Sequence, residues 1–432
     1  MSEREGKEDI PMDSNKPMSR REFLVTGTSL LASLGIGGSL LFSPAGNRVY
    51  GEQSNTDSAQ NKSVESPILV VIQLSGGNDG LNTLIPYTQG AYFDARPTLK
   101  LTQQDVLAID NQVGLHPSLT GLKELYDRGK LAIVQGVGYP KPDRSHFRSM
   151  EIWQTAEPEK WIRSGWLGRY GESTRTKADT PIKLLQIGNS ANKAFRSDTI
   201  NVPVIQSMET FNFFDPKTPK TDQNRIARTF LDMYDPKRQG LHLKVTCEHG
   251  RDAYNSVEAI QSLSGNYQNK VEYPKTNFAK DLQLVAKMLA GKSGTRVFYL
   301  QLGGFDDHAQ EKDLHAKLLK DMDDAIASFY KDLEVQGYQD RVVTLAFSEF
   351  GRRVKENGSG GTDHGAAGPV LVLGGQVKGG MYGLYPSLSN LDNGDLKYEV
   401  DFRSIYYTLV ENWMKGDAKG VLGKTYEKLK FI

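Results

Sequence analysis

Ile68-Leu69-Val70-Val71-Ile72-Gln73-Leu74 runs directly into Ser75-Gly76-Gly77-Asn78-Asp79-Gly80. A short β-branched apolar run that stops at a glycine-rich turn reads as a buried strand delivering a loop. The pattern recurs. Strands are expected over 131–137, 182–187, 296–302, 342–347 and 370–373, separated by helical stretches at 145–154, 223–234, 254–263, 277–290 and 315–333. This alternation predicts an α/β fold, a three-layer sandwich whose mostly parallel central sheet is covered by helices on both faces. Ligands of such sheets bind outside the carboxyl ends of the strands, which places the chemistry on the loops after Leu74, Val137, Leu302 and Phe347.

Outward from that core, the N-terminus reads as a targeting segment. Ser19-Arg20-Arg21-Glu22-Phe23-Leu24 resembles the twin-arginine export signal, followed by an apolar stretch over 25–42 and by Ser43-Pro44-Ala45, small residues suited to signal-peptidase cleavage. The apolar core is interrupted by Gly35, Gly37 and Gly38 and falls short of the roughly 20 apolar residues of a membrane span, so cleavage is expected over anchoring. The expected organisation is a signal peptide over 1–45, a polar disordered linker over 46–66 and one α/β domain over 67–432. An exported protein in the periplasm or outside the cell follows, with the twin-arginine translocation machinery as a partner and membrane contact only through the transient signal. The 432 residues carry 53 basic and 52 acidic side chains, which lacks the footprint of a dedicated nucleic-acid binder. Cys247 is the only cysteine, so intramolecular disulfides and multi-cysteine metal sites are excluded.

Three later loops are rich in carboxylate and imidazole: Gly-Gly-Phe-Asp-Asp-His at 303–308, Phe-Ser-Glu-Phe-Gly-Arg at 347–352 and Gly-Thr-Asp-His-Gly at 361–365. Such donors converging from separate strand ends suit one or two divalent ions (zinc, manganese, magnesium or calcium), which would assist attack on phosphate or sulfate esters. The candidate ligands are Asp79, Asp306, His308, Glu349, Asp363 and His364. Each has a plainer reading: an Asx turn at Asp79, a helix cap at Asp306 or Asp307, an ion pair of Glu349 with Arg352. Ser145 begins a predicted helix, where it is either a nucleophile favoured by the helix N-terminus or a simple N-cap. Arg144 is a candidate clamp for a transferred group, His146 a candidate ligand or proton carrier, and Arg148 a second clamp. Asn82 and Thr83 are possible neighbours of the site. His315 is expected at the surface, and His116, His242 and His249 lie outside any constellation. Gly76-Gly77-Asn78-Asp79-Gly80 does not have the spacing of a dinucleotide loop.

As an ordered set, the segments 19–24, 76–80, 144–147, 303–308, 348–352 and 361–365 resemble the twin-arginine-exported bacterial family catalogued as domain of unknown function fifteen-oh-one. Its members look like relatives of the alkaline phosphatase and sulfatase superfamily. That resemblance implies an alkaline-phosphatase-like fold with Ser145 as the residue resembling the nucleophile. It also implies metal ligands at Asp79, at Asp306 with His308, at Glu349 and at His364. Two departures stand out: Asp-x-His replaces the usual Asp-x-x-x-His, and Phe350 occupies what would be a histidine position. The implied activity is an exported metal-dependent hydrolase or transferase of small-molecule or polymer-linked esters, the alternative being an envelope binding protein that keeps the fold without turnover.

Overall fold

The computed structural model describes residues 66–432 apart from 177, 216, 236, 238–242, 264–266 and 268–269. The expected signal segment and His242 therefore lie outside the described residues. Nine described strands form the main sheet: β1 Ile68–Ser75, β2 Leu131–Gly138, β3 Leu184–Ile187, β4 Val204–Ile205, β5 Val297–Gly303, β6 Val342–Ser348, β7 Gly368–Gly374, β8 Gly380–Tyr382 and β9 Val400–Asp401. Their order is β8-β2-β7-β6-β1-β5-β3-β4, with β9 also paired to β2. β1 lies inside the sheet and pairs in parallel with β5 (Ile72 opposite Leu300) and with β6 (Ile72 opposite Ala346). Its apolar run is buried on both sides, the reason it reads as continuous rather than alternating.

Alternate residues of the strands face two separate helical layers. Leu69, Val71, Val343, Leu345 and Phe347 pack in one cluster with Trp153, Trp166, Tyr406 and Val410 from helices on one face. Thr344 points the other way and accepts a hydrogen bond from Tyr330 of the Glu311–Gln336 helix at 2.9 Å. Helices thus cover both faces, and the layered, mostly parallel architecture is the one expected from the sequence.

One strand departs from that expectation. β7 runs antiparallel to both β2 and β6. The cause is its connection: between β6 and β7 the chain makes a ribbon, Arg352–Glu356 against Thr362–His364, instead of a crossover helix. A strand entered from the end at which its neighbour was left returns antiparallel. The glycine-rich segment over 358–361 is the tip of this ribbon. Its turn is closed by Asn357, whose side chain accepts from the Ser359 and Gly361 amides at 2.9 and 3.2 Å.

Residues 209–261 form a compact unit of their own. Two helices, Lys220–Met233 and Lys244–Ser262, close around Phe213, Ile226, Phe230 and Val257. No helix among the described residues is long and apolar enough to cross a membrane.

Candidate metal centre

Three loops meet beyond the carboxyl ends of β1, β5 and β6: the first touches the second by backbone and the third through the Phe350 ring. Gly76 has φ +122, and a Cβ there would run into the backbone of Phe305 and Asp306; one on Gly77 would strike the Phe350 ring. The glycines of this first loop therefore admit neighbouring protein rather than an ion. Arg352, buried with 2% exposure, ties the loops together. Its Nε donates to the Gly77 carbonyl at 2.7 Å and its Nη1 to Thr362 at 2.9 Å. Its Nη2 reaches the carbonyls of Gly76 and Phe305 and, at 2.9 Å, Oδ1 of Asp306.

That carboxylate oxygen is the focus of the site. His364 Nε2 lies 2.9 Å from it, His308 Nε2 3.0 Å and His146 Nε2 3.3 Å. The His308 and His364 Nε2 atoms are themselves 3.0 Å apart. Donors of a tetrahedral zinc site with bonds near 2 Å sit about 3.3 Å from one another; His146, Asp306 and His364, whose ligand atoms lie within 4.8 Å of one another, could share an ion, and His308 Nε2 stands 3.0 Å from the Asp306 and His364 atoms of that group. His146 Nε2 is buried and has no hydrogen-bond partner, an orphan that a cation at this point would satisfy.

The far nitrogen of each ring faces an oxygen. His146 Nδ1 lies 2.8 Å from Glu349 Oε1, and His364 Nδ1 lies 2.9 Å from the Arg144 carbonyl. His308 Nδ1 sits 3.6 Å from Asp363. An oxygen at Nδ1 fixes the tautomer that leaves Nε2 free as a ligand, the usual outer arrangement of metal-bound imidazoles. Phe350, buried at 3%, braces the assembly, with its ring centroid 4.9 Å from that of His146 and 4.8 Å from that of His364. The aromatic found where a ligand was expected is a buttress for two imidazoles.

Charge follows this geometry. Burial pushes the Asp306 carboxyl upward, but hydrogen bonds from His364 and Arg352, with the charges of His146 and Arg352, hold it well below the usual carboxylate range. The Glu349 hydrogen bond, working against burial, raises His146, so an ion would have to displace a proton from this ring.

Of the expected ligands, Asp306, His308 and His364 are brought together. Glu349 and Asp363 stand behind histidines instead: Glu349 also accepts from the Gly76 amide at 2.9 Å, and Asp363 from Asn357 at 3.2 Å. Asp79 is placed elsewhere. Both its oxygens are taken by Arg96, the side chains being 2% and 0% exposed, and Oδ1 also caps Leu81. Despite burial, the Arg96 charge lowers this carboxyl to about 2. Nor does Arg352 pair with Glu349, as the plainer reading had it; its carboxylate is Asp306.

Ser145 is the N-cap residue of the ten-residue His146–Thr155 helix and is exposed, yet its hydroxyl makes no capping bond. It sits between the Arg144 carbonyl on His364 and the ring of His146. Arg144 is not a free clamp, because Nε and Nη2 both donate to the buried Asp395. Arg148 is likewise engaged by Glu151 and lies over the Trp161 ring. Asn82 and Thr83 are buried in bonds to Leu99, Tyr92 and Asn78, away from the centre. His315, expected at the surface, is 3% exposed and bonded to Asn78 at 2.9 Å, since its helix turns that position inward.

A family model described as "Protein of unknown function (DUF1501)" matches residues 67–409. The chain belongs to that family. No curated protein matches it in sequence. Among solved structures, it is similar to the PsFucS1 sulfatase from Pseudoalteromonas sp., with 11% identity and a TM-score of 0.37 over 85% of this chain and 72% of that one. The C-terminal periplasmic domain of EcEptC from Escherichia coli gives 12% identity and 0.37 over 85% and 90%. A protein in the alkaline phosphatase superfamily from Vibrio parahaemolyticus gives 12% and 0.37 over 84% and 70%. The chemistry of this family member is read from its own side chains.

Proposed function

We propose that the protein is an exported metal-dependent hydrolase or transferase of phosphate or sulfate esters. The observation that carries this reading is the convergence of three imidazole Nε2 atoms on Asp306, one of them buried without a partner, beside an uncapped serine at a helix N-terminus. His146, His308, His364 and Asp306 would hold the ion, and three nitrogens with one oxygen favour zinc or manganese over magnesium or calcium. When bound, such an ion supplies Lewis acidity to an ester oxygen and lowers the pKa of a neighbouring hydroxyl.

The protein's own groups do the rest. Glu349, the Arg144 carbonyl and Asp363 hold the rings in register. Ser145 Oγ forms the new bond to phosphorus or sulfur, its proton passing to solvent, while the ester oxygen leaves with the bonding pair. Water then breaks the Ser145 ester. The helix N-terminus favours the developing negative charge on Oγ.

The pairing of Arg144 with Asp395 favours a second reading, an envelope protein that binds metal or anion without turnover, because no expected arginine is left to grip the transferred group. Metal analysis of the purified protein, with a screen of aryl phosphate mono- and diesters and aryl sulfates, separates the two. Hydrolysis that disappears in Ser145→Ala while metal content stays constant is expected. Bound metal without hydrolysis selects the binding protein, and full activity in Ser145→Ala removes the serine from the mechanism.

A further inference from the structure

We infer that the centre holds a single ion, and that two buried arginines, Arg352 and Arg96, permanently supply the positive charge a second ion would otherwise bring to the neighbouring carboxylates. This rests on reading the histidine cluster as a metal site. Candidate oxygen donors for a second ion are Asp79, Glu349 and the shared Asp306.

Each is already committed. Asp79 has both oxygens on Arg96, whose own place is fixed by Nε donating to Val354 at 3.0 Å and Nη2 to Arg353 at 2.9 Å. An ion bound to Asp79 would have to expel a guanidinium that is 0% exposed and whose other hydrogen bonds go to the neutral carbonyls of Val354 and Arg353. Glu349 gives Oε1 to His146 and to the Gly76 amide, while Oε2 lies 3.0 Å from the Ser348 hydroxyl, whose one proton is shared with the Leu74 carbonyl at 2.6 Å. Asp306 shares Oδ1 with Arg352, and that guanidinium is held by the carbonyls of Gly76, Gly77, Phe305 and Thr362, from three different loops. It cannot withdraw without opening those loops, and it repels a second cation from the same oxygen.

Among the imidazole nitrogens of the centre, one buried atom is left without a hydrogen bond. The orphaned His146 Nε2 and the facing Nε2 atoms of His308 and His364 share Asp306 Oδ1 as their common neighbour. Arg352 is accordingly a positioning residue, holding Asp306 ionised and turned toward the three rings.

The test is the stoichiometry and affinity of Zn2+ for the full chain, first stripped of metal and then titrated against a chromophoric chelator. One equivalent per chain is expected, weakened at least 100-fold in His364→Ala. Asp79→Asn, if it folds, should bind that equivalent within threefold of wild type; a loss of binding in a folded Asp79→Asn would contradict its exclusion from the centre. Two equivalents in the wild-type chain would overturn the inference and leave the proposed activity standing. No bound equivalent would overturn both.

Discussion

At the scale of single residues, the proposed centre depends on side chains that would not touch the ion. Glu349 is 1% exposed and holds His146 by its Nδ1 edge. Removing such an outer partner typically weakens metal affinity 10- to 100-fold, and Glu349→Gln, which keeps the shape, should fall in that range by chelator competition. Phe350→Ala should cost about 3–5 kcal/mol in urea unfolding, as large-to-small changes of a buried aromatic do, and should loosen both imidazoles it supports. His308, Asp306 and His364 were legible in the sequence because motif and strand end coincide. The roles of Arg352 and Arg96 were not. An arginine's reach spans loops far apart in the chain, and the partner of Arg352 is 46 residues away rather than the nearby Glu349. Asp79 was misplaced for the same reason: its neutralising cation, 17 residues on, carries no local signature.

At the scale of elements, the β1 loop is locked by charge. Asp79→Asn would leave the Arg96 guanidinium buried beside a neutral group, a loss of about 3–5 kcal/mol measurable by urea unfolding. Beside this pair, Glu311 opens the long helix; one oxygen accepts from Thr362 at 2.6 Å, and the buried carboxyl also hydrogen-bonds Asp79. Burial and then the Asp79 charge push its carboxyl well above the ordinary glutamate range. The folded state therefore keeps a proton that the unfolded chain releases. The contribution is complete below the unfolded pKa of about 4.3 and is lost as pH rises through the raised folded value. Asp79 acts oppositely: its lowered pKa contributes above the unfolded value of about 3.9 and is lost as pH falls toward about 2. Thermal midpoints should thus decline from pH 6 to 9 in the wild type and decline less in Glu311→Gln. Equal slopes would show that Glu311 is not the group responsible.

At the scale of the whole molecule, the sheet and its rim were the legible part, because apolar runs ending in glycine mark parallel strands wherever both faces are covered. The antiparallel β7 was not legible: Val370-Leu371-Val372-Leu373 looks the same in either direction, and only the ribbon ahead of it reverses the chain. That reversal brings His364 back over the ends of β1 and β5, where it meets His308 and His146. Stripping the ion should leave the sheet intact, since no core strand depends on it, with little change in far-ultraviolet circular dichroism. Rebinding should weaken as pH falls, because His146 is raised by Glu349 and must lose its proton.

The most direct measurement is X-ray absorption spectroscopy of the zinc-loaded protein. Three histidine nitrogens and at least one oxygen at about 2.0–2.1 Å are expected, with one histidine scatterer lost in His146→Ala. A shell without histidine, or one unchanged in His146→Ala, would contradict the centre as placed.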